Sequence, residues 1–481
     1  MAMQESYEIV VGLEVHAELS TDSKIYCECK NAFGREVNTQ VCPICMGMPG
    51  TLPMLNEMVV EYAVRMGHAL GCTINNVCKQ DRKNYFYPDL PKAYQISQAE
   101  IPLCASGHVD ILVDGVERRI GVTRIHIEED AGKLLHDDAF QGSLVDLNRC
   151  GVPLIEIVSE PDMRSSAEAK AYLDTIKSIL QYLDISDCKM QEGSIRCDVN
   201  VSVRKKGDPA FGTRCEMKNV NSFSAAVRGI DYEAERQIAL LESGGTVSQE
   251  TRRWDDVKGM SILMRSKEDA HDYRYFPEPD LGVIVVDPAR VEELRQSIPE
   301  LPNAKLLRYV KDLGLPQTDA ALLAEDVERA GFFDECLSFA LCQPKSISNW
   351  LLGDIARLQN ETGKSLKDTG LCAKPLCELL ALIEAGKISN AIGKQVLELM
   401  LAEGKSPDAI IEEHGLAQVS DKGAIEQIAR DVLAANEKSV EDYKGGKTNA
   451  LGFLVGQGMK ASKGKANPAM MKELLLSLLD A

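Results

Sequence analysis

Apolar and ionic side chains alternate with a period of two in five segments of the first 220 residues. In Val10-Val11-Gly12-Leu13-Glu14-Val15-His16-Ala17-Glu18-Leu19, residues Val11 to Leu19 at odd positions share one face of an extended chain, and Glu14, His16 and Glu18 share the other. Arg124-Ile125-His126-Ile127-Glu128 follows the same rule and runs into Glu129 and Asp130. A single Glu156 interrupts the apolar run of Leu154-Ile155-Glu156-Ile157-Val158, while Asp198 and Asn200 take even positions of Ile195 to Val203. Arg214-Cys215-Glu216-Met217-Lys218 repeats the pattern. Such alternation predicts half-buried strands, and five of them predict a mostly antiparallel sheet with one wet face.

The ionic positions change that picture, because they hold mostly carboxylates and histidines. Two carboxylates about 4 Å apart repel by roughly 4 kcal/mol at an effective dielectric near 20. Glu14, Glu128, Glu129, Glu156 and Asp198 therefore converge only around cations, and hard oxygen ligands favour Mg²⁺ over zinc.

Helical periodicity fills the rest of the chain. Ser165 to Leu183 and Ser224 to Ser243 interrupt the strand-rich part. Pro277, Pro279, Pro288, Pro299 and Pro302 crowd a short interval that neither a helix interior nor a central strand tolerates. Beyond it, Ala320 to Val327, Ser346 to Leu358, Cys377 to Ala385 and Met470 to Leu479 carry apolar residues at three- and four-residue steps. A second seam falls at Gly404-Lys405-Ser406-Pro407. The expected class is α+β: an N-terminal sheet domain over 1–295, an all-helical domain over 296–405, and a small helical tail over 406–481. A chain of 481 residues fits such a three-part division.

No run approaches the roughly 18 uncharged apolar residues of a membrane span, and Met1-Ala2-Met3-Gln4-Glu5 has no secretory pattern, so the expected location is cytoplasmic with no membrane partner. The 15 cysteines are then expected as reduced thiols or metal ligands. Cys27-Glu28-Cys29 and Cys42-Pro43-Ile44-Cys45 form two close pairs at the spacing of a four-thiolate zinc knot, with unliganded thiols as the alternative. A net charge of −19 argues against general coating of nucleic acid. Between Tyr443 and Met471, however, lie Lys444, Lys447, Lys460, Lys463 and Lys465 and no acid, which reads as a solvated helix surface or as phosphate contact. Gly446-Lys447-Thr448 is no Walker loop, since Glu441 replaces its first glycine. Gly456-Gln457-Gly458-Met459-Lys460-Ala461 lies too close to the end for a βαβ unit.

Longer stretches carry a family resemblance. Lys83-Asn84-Tyr85-Phe86-Tyr87-Pro88-Asp89-Leu90-Pro91, the run from Asp146 to Asp162, and His271-Asp272-Tyr273-Arg274-Tyr275-Phe276-Pro277-Glu278-Pro279-Asp280 resemble the B subunits of aspartyl/glutamyl-tRNA amidotransferases. Val11 to His16, Phe453 to Gln457 and Lys463 to Pro468 extend the likeness over nearly the whole chain; Ala93 and Gly458 depart from it, where Gly and an apolar residue are expected. The resemblance implies a catalytic cradle related to glutamine synthetase, a helical domain, and a YqeY-like tail that grips tRNA through the five lysines. It implies that ATP phosphorylates the side-chain carboxylate of Glu or Asp misacylated onto tRNA(Gln) or tRNA(Asn), and that ammonia then displaces phosphate. It implies Glu14, His16, Glu128, Glu129, Glu156 and Asp198 as the catalytic set, with Glu14, His16, Glu129, Glu156, Glu192 and Asp198 holding Mg²⁺. Lys83, Arg149 and Lys218 are then partners for phosphate oxygens, and Asn148, Asn200 and Asn219 orient substrate. His16 is either a ligand or a base for ammonium, and His126 is read as a strand residue bonded to a neighbour. No amidase signature is visible, so the implied source of ammonia is a glutamine-hydrolysing amidase, the A subunit, strapped on by a small C subunit in a heterotrimer. Two other readings remain: a free-standing ligase of the glutamine synthetase type, and a non-enzymatic zinc- and tRNA-binding adaptor.

Overall fold

A computed structural model describes residues 6–137, 142–266, 273–417, 422–445, 447–462, 466 and 468–479. Lys463, Lys465, His271 and Asp272 lie outside the described residues. The chain divides into two compact units, Met1–Ala304 and Lys305–Ala481. In the first, the elements run β1 (Tyr7–Glu18), α1 (Glu57–Ala69), β2 (Thr73–Ile74), β3 (Val77–Cys78), β4 (Asp81–Asn84), β5 (Tyr94–Ser97), β6 (Cys104–Val113), β7 (Val116–Glu129), β8 (Lys133–Asp137), β9 (Gly142–Asp146), β10 (Pro153–Ser159), α2 (Ser166–Tyr182), β11 (Ile195–Lys205), β12 (Cys215–Val220), α3 (Phe223–Glu242), β13 (Glu250–Asp255), β14 (Met260–Ser266), β15 (Phe276–Pro277), β16 (Ile284–Val285) and α4 (Pro288–Gln296).

All five alternating segments enter one nine-stranded sheet of order β14-β13-β12-β11-β1-β10-β7-β6-β2. Every pairing in it is antiparallel except β12 with β13, the pair that α3 connects. The odd positions of β1 behave as the pattern predicts: Val11, Leu13, Val15 and Ala17 are at most 1 % exposed, in one core with Tyr172, Leu173 and Ile176 of α2. Ser165 and Ser222 start α2 and α3, each accepting a bond from the backbone N–H three residues on, which satisfies a donor the helix itself leaves unpaired. The register of β12 slips against β11 between Cys197 and Val199, and Asn219 absorbs the bulge at φ +60°. Ala93 takes φ +63°, a left-handed conformation that costs a residue with a Cβ about 1 kcal/mol and that the glycine expected there would adopt freely.

The first unit extends beyond the expected boundary at 295 because Ile298 and Leu301 pack against its core and Asn303 Nδ2 donates to Asp110 O at 2.8 Å. The second unit is helical and has two separate apolar clusters, one around Tyr309, Phe333, Leu376 and Val396, the other around Ile425, Leu454, Met471 and Leu475. The helix expected over Ala320 to Val327 is two helices: Gln317–Glu325 stops and Asp326 caps Val327–Phe339, accepting from Arg329 N at 2.9 Å. Ser346 to Leu358 lies across Pro344–Trp350, a wider-wound turn at Leu351–Ile355, and Ala356–Thr362. Gly458 is explained by its neighbour, since a Cβ there would come within 2.7 Å of Met471 Sδ. Among the described residues, no helix is long and apolar enough to cross a membrane.

Candidate active site

The wet face of β1 and its neighbours forms the site. Register sets His16 beside Glu156, Glu156 beside His126, and Glu14 beside Asp198, because all occupy same-phase positions of adjacent antiparallel strands. One strand further out, Asn200 faces Glu216. These residues line a cleft of about 440 Å³ together with Glu128, Lys83, Lys218, Arg124, Arg214, Tyr273 and Tyr275.

Two acid clusters lie in the cleft. In one, a ring nitrogen of His16 and oxygens of Glu128 and Glu156 all fall within 4.8 Å of one another; in the other, oxygens of Glu14, Asp198 and Glu216 do. His16 Nε2 is 3.4 Å from Glu156 and 3.8 Å from Glu128, and His126 Nε2 is 3.3 and 3.6 Å from the same carboxylates. Burial works against charge on His126, yet Glu156 and Glu128 push it up to about 9. The same contacts, against burial, hold Glu156 well below the usual carboxylate range. Burial and the charges of Glu156 and Asp198 push Glu14 up. Lys218 Nζ bridges Asp198 at 2.6 Å and Glu216 at 2.9 Å, and Asn200 donates to Glu14 Oε1 at 3.0 Å. Clustered carboxylates with an imidazole suit hard divalent cations, so the donor sets fit Mg²⁺ on two neighbouring seats.

The cysteine pairs meet as well. The sulfurs of Cys27, Cys29, Cys42 and Cys45 lie within 4.8 Å of one another, near the roughly 3.8 Å that sulfurs about 2.3 Å from a tetrahedral zinc require. Burial and the neighbouring Cys42 thiol push Cys29 up to about 11, a cost that a bound cation reverses. The cluster can hold a metal.

Of the residues singled out from sequence, Glu14, His16, Glu128, Glu156, Asp198, Asn200, Lys83 and Lys218 meet in the cleft. Glu129 does not, because consecutive strand residues alternate faces. It pairs with Lys92, accepts from Ile96 N at 2.9 Å, and lines a smaller cavity of about 200 Å³ beside Cys27 and Cys45. Glu192 sits in a turn, paired with Lys189 at 3.2 Å. Asn148 clamps the cysteine-bearing loop, accepting from Gln40 N at 2.8 Å and donating to Glu36 O at 2.7 Å. Arg149 is held by Ala131 O and Gly132 O at 2.9 and 2.8 Å, and Asn219 is the exposed bulge residue. Lys444, Lys447 and Lys460 are carried on or beside tail helices, Lys447 bonded to Asp442 at 2.9 Å. Sequence reasoning passed over Glu216 as a site residue although it alternates in phase with Lys218. Tyr273 and Tyr275 lie in a stretch that carries the resemblance but were assigned no role; irregular chain brings them to the cleft, the Tyr273 ring 4.9 Å from Lys83 Nζ.

A sheet that gathers two groups able to hold divalent cations on one face, with lysines and arginines around them, suits the activation of anionic groups. Residues 9–292 match the family described as the GatB/GatE catalytic domain, and residues 331–479 match the GatB domain. The chain is 57% identical to the B subunit of aspartyl/glutamyl-tRNA(Asn/Gln) amidotransferase from Caldicellulosiruptor bescii, over 98% of this chain and 99% of that protein. It is 57% identical to the protein of the same name from Thermoanaerobacter pseudethanolicus, over 98% of each, and 52% identical to that of Clostridium botulinum, over 98% of each. The chain belongs to the family of tRNA-dependent amidotransferase B subunits.

Proposed function

We propose that this chain uses ATP to phosphorylate the side-chain carboxylate of Glu on tRNA(Gln), Asp on tRNA(Asn), or both, and then amidates it with ammonia supplied by an amidase A subunit that a small C subunit holds in place. The observation that carries this reading is the cleft itself, with two acid clusters on one sheet face and Lys83, Arg124, Arg214 and Lys218 around them. A carboxylate is a poor acyl donor until one of its oxygens leaves as phosphate, and phosphoryl transfer is achieved chiefly by positioning and charge neutralisation. Mg²⁺, held by Glu14 and Asp198 with Glu216 and by His16, Glu128 and Glu156, supplies that neutralisation when bound. Asn200 fixes the Glu14 carboxylate, and Lys218 and Arg214 contact phosphate oxygens. A carboxylate oxygen takes the terminal phosphoryl group and ADP leaves. The ammonia nitrogen then attacks the acyl carbon, and phosphate departs and takes up the extra proton.

In the same reading, 1–295 is the catalytic domain with a structural zinc at Cys27, Cys29, Cys42 and Cys45, 296–405 is a helical support, and 406–481 binds tRNA through its lysines. The test is ADP release by the chain co-expressed with its partners, given Mg·ATP and glutamyl-tRNA(Gln), uncharged tRNA or free glutamate. Release that requires charged tRNA and is lost in Glu14→Gln and Asp198→Asn is expected. Release with free glutamate alone would assign the chain to small-molecule ligases, and unchanged activity in both variants would leave it a binding adaptor.

A further inference from the structure

Away from the four-sulfur cluster, three cysteines gather in the helical unit: Cys336 on the helix Val327–Phe339, Cys342 in the loop that follows it, and Cys377 on the helix Ala373–Glu384. Cys336 and Cys377 are at most 1 % exposed, inside the apolar cluster around Phe333 and Leu376, whereas Cys342 is half-buried. The two helices interlock here, with Cys377 Sγ 3.5 Å from Cys336 O and Cys336 Sγ 3.9 Å from Ala373 O. The loop is seated on the same helix, since Gln343 N and Ser346 Oγ both donate to Glu384 Oε1, at 3.0 and 2.5 Å. The thiols of Cys336 and Cys342 both donate to the Cys377 sulfur, and against burial these bonds hold it down to about 4. A shared metal needs its sulfurs gathered about one point. Among the described residues, Cys27, Cys29, Cys42 and Cys45 meet that condition, and these three do not. Cys377 touches both of the others, so the chemistry open to them is pairwise.

We propose that Cys342 and Cys377 form a site of reversible oxidation, closed to a disulfide by hydrogen peroxide and reopened by a small dithiol. Cys342 is the member that solvent reaches, so its sulfur attacks one peroxide oxygen. The O–O bond breaks, Cys342 becomes a sulfenic acid, and the other oxygen leaves with the thiol proton as water. The Cys377 sulfur then attacks the Cys342 sulfur. An S–S bond forms, the S–O bond breaks, and the departing hydroxide becomes a second water with the proton of Cys377. The pair thus loses two electrons and the peroxide gains them. Thiols already in contact reach the roughly 2.05 Å of a disulfide by turning about their own side-chain bonds, while the Glu384 contacts keep the loop in place. Exchange with a dithiol returns both thiols and oxidises the dithiol.

The chain, co-expressed with its partners, is exposed to hydrogen peroxide, its remaining thiols are alkylated, and its peptides are mapped by mass spectrometry without reduction. Wild type, Cys342→Ser and Cys377→Ala are compared. Cys342→Ser exchanges one atom in a half-buried loop, so the fold survives it. In wild type, peptides linked through Cys342 and Cys377 should appear and should vanish with dithiothreitol. The bond ties together distant points of the chain, so it should raise the melting temperature of the helical unit by about 5–10 °C. Cys342→Ser should abolish both the link and the shift. In Cys377→Ala, Cys342 should proceed to the sulfinic acid, because no neighbouring sulfur is left to resolve its sulfenic form. Wild type in which Cys342 is recovered alkylated or as sulfinic acid, with Cys377 still a thiol, overturns the site. A bond between Cys336 and Cys377 instead assigns the chemistry to the buried pair and overturns the role of Cys342.

Discussion

Replacing Lys218 with methionine tests whether the acid cluster around Glu14 is built for a cation. The oxygens of Glu14, Asp198 and Glu216 all lie within 4.8 Å of one another. At an effective dielectric near 20, each pair at that distance repels by about 3.5 kcal/mol, or about 10 kcal/mol for the three pairs. Lys218 Nζ, 2.6 Å from Asp198 and 2.9 Å from Glu216, is attracted to each by about 6 kcal/mol on the same basis. Attraction and repulsion therefore offset one another to within a few kcal/mol when no cation is bound. Methionine keeps the length of the side chain and removes the charge. The cluster then either endures the repulsion or takes up a proton, and protonating one carboxylate of ordinary pKa near 4.3 at pH 7.5 costs about 4 kcal/mol, which caps the loss. In EDTA, Lys218→Met should lower the melting temperature of the first unit by about 8 °C. Mg²⁺ should restore most of it, bind more tightly than to wild type, and release a proton on binding. Calorimetric melts with and without Mg²⁺, and titrations in two buffers of different ionisation enthalpy, read all three quantities. A variant that melts with wild type in EDTA, or binds Mg²⁺ more weakly, refutes the reasoning.

Other consequences follow from the same structure. Glu233 is 1 % exposed, and against burial it is held below the usual carboxylate range by Arg236, Gln237 and Ser261. Its stabilisation is present above the unfolded pKa near 4.3 and is lost as pH falls through the lower folded value, so Glu233→Gln should cost about 3–5 kcal/mol at pH 7 and distinctly less at pH 3. Urea midpoints at both pH values measure this, and an equal loss at each contradicts it. Metal analysis should find one zinc per chain, absent in Cys42→Ser, and that variant should melt lower without altering the order of tRNA preference; a zinc-free wild type with the same melt as the variant would dispose of the site. Lys444→Ala, Lys447→Ala and Lys460→Ala combined should reduce the slope of log affinity for tRNA against log salt by about 2–3, since each phosphate contact contributes about 0.7–0.9. The rate at saturating tRNA should be unchanged, and an unaltered slope would place tRNA elsewhere.

The strands of the site were legible because alternation is a local property. Val11, Leu13, Val15 and Ala17 needed only a period of two to be assigned to the core, and Glu14 and His16 followed onto the other face. Strand order was not legible: that β1 lies between β10 and β11, bringing Glu156 to one side of His16 and Asp198 beside Glu14, depends on pairings across more than 130 residues. Helix existence was readable from period, but not the break at Asp326, where a local cap overrides a continuous apolar pattern. Asn148 and Arg149 sat in a recognisable motif, and their roles in holding loop backbone became visible only with the carbonyls and N–H groups they bind.

Glu128 and Glu129 carry the point further. Identical in chemistry and adjacent in sequence, they cannot share a face of one strand, so at most one of them belongs to the cleft. Periodicity alone could have made that choice, since Glu128 is in phase with His126, and Ile125 and Ile127 are buried with no exposed surface. Glu129 is instead in phase with those isoleucines, where a carboxylate must be paired, and Lys92 and the Ile96 N–H do this. The side chain thus spans from the sheet to the loop that carries Cys27 and Cys45, whose cavity it lines.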